Sequence, residues 1–128
     1  MSLSLLDSIP HMDTQELHLV ADQWNWDDGL SELHAIIENR QCALGTAVML
    51  YWRGHPHYYR KFTSWEAIPA YNLGPYKLLE QIEQHMQAGF YQHHGVTYDP
   101  RNDHGTDFTR CMYKASALKR DLPAYVFE

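Results

Sequence analysis

Eleven consecutive residues, Cys42 to Trp52, carry no charge at all, and within them Leu44, Ala47, Val48, Tyr51 and Trp52 recur at helical spacing. A helix with no solvated face must be surrounded by other elements, so this stretch predicts a central helix over about Ala43–Trp52 with the remaining elements packed around it. The prediction ends at Gly54 and Pro56, which cannot continue it.

The flanking segments supply the surround. Leu17, Val20, Ala21 and Trp24 form one stripe over about Thr14–Trp24, opened by Asp13 with Glu16 three residues on, the pattern of a capping box. Asn25-Trp26-Asp27-Asp28-Gly29 reads as a turn. Leu30, Leu33, Ile36 and Ile37 predict a helix over about Leu30–Asn39, with one carboxylate of Asp27 and Asp28 as its cap and the other solvated. Leu78, Leu79, Ile82 and Met86 predict a helix over Tyr76–Ala88, opened by Pro75 and stopped by Gly89. Phe108, Cys111, Met112, Ala115 and Leu118 predict a last one over about Asp107–Arg120. The segment from His55 to Gly74 reads as irregular and aromatic-rich, with one helical turn at Ser64–Ala67. The expected fold is therefore all-α: a single bundle of about five helices over residues 1–128, with residues 1–12 a loosely ordered lead-in and one long aromatic loop.

Composition narrows the function. Hydrophobic residues make up 45% of the 128, enough for one real core, and the two cysteines, Cys42 and Cys111, form neither a disulfide framework nor a zinc motif. No signal sequence or membrane span is read, so a soluble cytoplasmic protein is expected. The net charge of -6 argues against a nucleic-acid binder. Its distribution is uneven: residues 1–50 hold eight acids and one base, whereas 51–128 hold eight acids and nine bases. Such a gradient steers a basic partner.

No cofactor, metal or catalytic set is assigned. His93, His94, Asp99, Asp103, His104 and Asp107 put six potential ligands in one stretch, but neither the EF-hand spacing nor H-E-x-x-H occurs, and the stretch reads as a polar loop leading to an Asp107 cap. His55 and His57 around Pro56 read as a turn. Cys42 lies in apolar surroundings with no base beside it in sequence, which reads as a structural thiol, and Gly45 reads as a close-packing position.

Trp24-Asn25-Trp26-Asp27-Asp28-Gly29, Ala35-Ile36-Ile37 and Cys42-Ala43-Leu44-Gly45-Thr46-Ala47 together resemble a bacterial family of small domains of unknown function, marked by an N-W-D-D-G turn and a C-x-L-G-T-A helix start. The likeness continues more faintly through Ile82–Tyr91 and Tyr98-Asp99-Pro100; the loop from His55 to Tyr71 departs from the pattern. The resemblance implies a bacterial, mostly helical cytoplasmic domain and supplies no mechanism. The expected function is a non-catalytic protein-binding domain, most concretely an immunity-type inhibitor that occludes a basic toxin, with Asp22, Trp26, Asp27, Asp28 and Glu32 as the docking residues. The alternatives are a small metal-assisted hydrolase using the loop 93–107 and an adaptor subunit of a bacterial complex.

Overall fold

The computed structural model describes residues 4–59, 62 and 65–109. Among them are six α-helices and no strand: α1 (Leu5–Ser8), α2 (Thr14–Gln23), α3 (Ser31–Glu38), α4 (Leu44–Arg53), α5 (Pro56–Tyr59) and α6 (Leu73–Gln87). The fold is an all-α bundle, as the periodicities predict.

The charge-free helix is its axis. Every residue of α4 from Leu44 to Trp52 is buried, and α2 and α6 pack against it. At its start Gly45 permits a close approach: a Cβ there would stand 2.7 Å from the Val96 carbonyl oxygen. Leu44 N–H donates to the Gln92 carbonyl at 2.6 Å, tying the incoming 92–96 segment to the same helix end. Cys42 is fully buried beside it, and desolvation pushes its thiol up to about 12, which keeps it neutral.

Helix α2 opens with the capping box the sequence predicts: Asp13 accepts from Glu16 N–H at 2.9 Å, and Glu16 accepts from Asp13 N–H at 3.1 Å. Its buried face is Leu17 and Ala21, with Val20 and Trp24 half-buried at the edges. Helix α3 buries Leu33, Ile36 and Ile37. Helix α6 starts two residues before Pro75, which therefore falls third in the helix; this is compatible with proline because the amides of the first turn lack intrahelical partners in any case.

Three expectations are corrected. Residues 5–11 form α1 and a 3₁₀ turn, Ile9–His11, instead of a loose lead-in; Ile9 is fully buried and its carbonyl accepts from Asn39 Nδ2 at 3.1 Å, so one apolar side chain anchors the segment against α3. Helix α3 begins behind Leu30 with no side-chain cap, because Asp27 and Asp28 belong to a 3₁₀ turn of their own, Trp26–Asp28. Between His55 and Gly74 the described residues hold, besides the expected turn at Trp65–Ala67, two unexpected short helical elements, α5 and Ala70–Asn72, before α6 begins at Leu73. Asp107 accepts from Thr109 N–H at 2.9 Å, the bond a helix cap makes to the second amide beyond it, and residues 108–109 form a turn. The rest of the predicted last helix, 110–120, lies outside the described residues.

Candidate functional site

The N-W-D-D-G turn is a closed structure. Trp24 Nε1–H donates to the Gly29 carbonyl at 2.9 Å and Asn25 Oδ1 accepts from Asp27 N–H at 3.0 Å, while Gly29 sits at φ 106°, where any other residue would be strained. These bonds hold Trp26 half-buried against the core, its ring edge close to Gly54 at the end of α4, and leave the Asp27 and Asp28 side chains exposed. Neither carboxylate has an ion-pair or hydrogen-bond partner among the described residues. Glu32 follows in the first turn of α3, half-buried.

Asp22 is placed differently from the other four docking candidates. Arg53, the last residue of α4, is held by Asp22 and Asp103 together: Nε and Nη2 fork onto the two Asp103 oxygens at 2.7 and 2.8 Å, Nη2 also reaches Asp22 Oδ1 at 2.7 Å, and Nη1 donates to the Asp22 carbonyl at 2.9 Å. Tyr98 OH donates to Asp103 Oδ2 at 2.8 Å. The hydrogen bonds from Arg53 hold both carboxyls below the usual carboxylate range. The Tyr98 phenol moves up, by desolvation first and by its bond to Asp103 second. This cluster joins α2, α4 and the loop 98–106, elements remote in sequence. Arg53 ends a helix of otherwise uncharged residues, and that position was the one sequence signal for it.

The cluster also fixes one wall of a cleft of about 1010 Å³ that runs from the N-W-D-D-G turn across the end of α4 to α5. Trp24, Trp26 and Asp27 line it together with His55, Tyr58 and Tyr59 and with Thr106, Asp107 and Phe108. Tyr58 is fixed by an edge-to-face contact with Tyr59 at 5.1 Å and by Asn72, whose amide donates to its hydroxyl at 2.9 Å. His55 adopts φ 59°, a left-handed conformation that costs a non-glycine residue roughly 1 kcal/mol, and its ring lies 5.7 Å from Phe108. It terminates α4 where glycine is the usual residue, which puts an imidazole in the cleft wall.

The His/Asp loop does not assemble as a ligand set. Asp103 is committed to Arg53 and Tyr98, Asp99 accepts from the amide of Arg101, and Asp107 accepts from Thr109. Among the described residues no three His, Cys, Asp or Glu side chains converge as a metal site would require, and no helix is long and apolar enough to cross a membrane.

A family model described as a domain of unknown function (DUF4274) matches residues 12–87, well over half the chain. The matched span contains the Trp24–Gly29 turn, all of α4 and the Tyr58 wall of the cleft, whereas Asp103 and Thr106–Phe108 lie beyond it. No curated protein and no solved structure matches the chain.

Proposed function

Because this chain belongs to the DUF4274 family of domains of unknown function, we propose a role for it from its own surface: a non-catalytic domain that captures a basic protein partner. In its most concrete form it is a cytoplasmic immunity-type inhibitor that occludes the active site of a bacterial toxin. The observation that carries the reading is the exposed pair Asp27 and Asp28 next in the chain to half-buried Trp26, two uncompensated charges and a ring on one hydrogen-bonded turn. Rigid aromatic anchors bordered by charge are what interface centres are made of, and the excess of acid in residues 1–50 speeds capture of a basic partner. Asp22 contributes to the field but is occupied by Arg53, so the docking set is Trp26, Asp27, Asp28 and Glu32.

The test uses the chain as bait in its native lysate beside the variant Asp27→Lys/Asp28→Lys/Glu32→Lys, with unchanged melting temperature as the control for folding. A basic protein retained by the wild type at low salt and lost from the variant is the expected result, followed by relief of that protein's toxicity on co-expression. A partner bound equally fast by both proteins refutes the electrostatic basis.

A further inference from the structure

Resting on that reading, we propose that the cleft behind the N-W-D-D-G turn is a socket for a single arginine side chain of the partner. The charge left over in the cleft is negative. Its own cation, Arg53, is saturated by Asp103, by the Asp22 carboxylate and by the Asp22 carbonyl. Asp27, which also lines the cleft, has no cation of its own among the described residues. A ligand that fits must bring positive charge to Asp27 while covering the rings of Trp24, Trp26 and Tyr58.

A guanidinium does both. It is planar, stacks on aromatic faces, is weakly hydrated and forks onto a carboxylate, whereas an ammonium is a strongly hydrated point charge. This molecule already uses both halves of that chemistry: Arg40 lies over the Phe90 ring at 5.4 Å, and Arg53 forks onto Asp103. The turn's internal hydrogen bonds and the Tyr58–Asn72 bond position the walls before any ligand arrives, which lowers the ordering cost of binding.

The experiment titrates the full chain with capped Gly-Arg-Gly, Gly-Lys-Gly, Gly-Leu-Gly and Gly-Glu-Gly, following the indole N–H resonances of the tryptophans by NMR. The arginine peptide should shift the Trp24 and Trp26 signals saturably, the lysine peptide more weakly, and the glutamate peptide not at all. Asp27→Asn, an exposed and nearly isosteric change, should weaken the arginine peptide about tenfold, the effect of removing one charge-assisted partner. Equal shifts from the leucine and arginine peptides would make the cleft an apolar socket and overturn the proposal, as would an unchanged affinity in Asp27→Asn. A partner whose capture depends on Asp28 and Glu32 but survives Asp27→Asn would also overturn it, while leaving the docking reading in place.

Discussion

Replacing Arg53 by Met keeps the apolar stem of the side chain and removes the guanidinium that serves two carboxylates. The Asp103 side chain is 5% exposed, that of Asp22 29% and that of Arg53 16%. Breaking a buried ion pair from one side costs about 3–5 kcal/mol, because the abandoned charge stays desolvated. Asp22 can turn partly to water, so the lower end applies: about 3 kcal/mol, against a total stability on the order of 5–15 kcal/mol. For a domain of this size that is a fall of roughly 10 °C in Tm. The pH dependence distinguishes lost charge pairing from lost packing. Arg53 holds both carboxyls below their usual 3.8, so its stabilisation is present above that value and is lost as pH falls through the lower folded-state values. Urea unfolding followed by circular dichroism should therefore show Arg53→Met far below wild type at neutral pH, with the two curves converging in acid, below the ordinary aspartate range, as the aspartates protonate in both. Arg53→Met/Asp103→Leu should recover part of the loss, since the most deeply buried orphan charge is gone. An Arg53→Met variant within about 0.5 kcal/mol of wild type at neutral pH would refute the argument that this cluster fastens α2 and the 98–106 loop to α4.

Three further outcomes follow from single observations. Gly45→Ala should destabilise by about 1–3 kcal/mol in chemical denaturation, because its Cβ would meet the Val96 carbonyl, a backbone atom that cannot swing aside; a neutral effect would mean the 92–96 segment is free to retreat. His18, in contact with Thr46 Oγ1 at 2.8 Å, and His34 are both shifted below the usual 6.5, chiefly by burial, with Asp22 opposing at His18 and Glu38 at His34. The unfolded chain then takes up protons that the folded one resists, so the urea midpoint should decline as pH falls from 6.5 toward the lower folded-state values; His18→Gln/His34→Gln should flatten that slope, and a flat wild-type profile over the same range would contradict it. Cys42, fully buried with its thiol pushed up to about 12, should resist alkylation until global unfolding, read by mass spectrometry of its own peptide; rapid native-state labelling would show that the start of α4 opens locally.

The helices of this protein were legible in its sequence because each long one carries its own evidence. The apolar stripe of α2, its Asp13 and Glu16 cap, and the absence of charge from Cys42 to Trp52 are local patterns, and local hydrogen bonding and burial read them directly. The N-W-D-D-G turn was legible for the same reason, since every bond that closes it lies within six residues. What periodicity missed is short or built from distant parts. Helices α1 and α5 have four residues each, too few for a pattern, and the first stays in place through Ile9 and a bond from Asn39 thirty positions away. Asp22 looked in the sequence like one more surface acid; only packing puts Arg53 thirty-one residues on at its side, with Asp103 a further fifty beyond that. The cleft belongs wholly to this second kind of information. Trp26, Tyr58 and Phe108 are ordinary half-buried aromatics in the one-dimensional chain, and they face one space because α4 brings the turn, α5 and the 98–108 loop to its C-terminal end. Helix formation is settled over a few residues by backbone and side-chain preference, whereas a charge pair or a binding surface depends on which distant segments exclude water from each other.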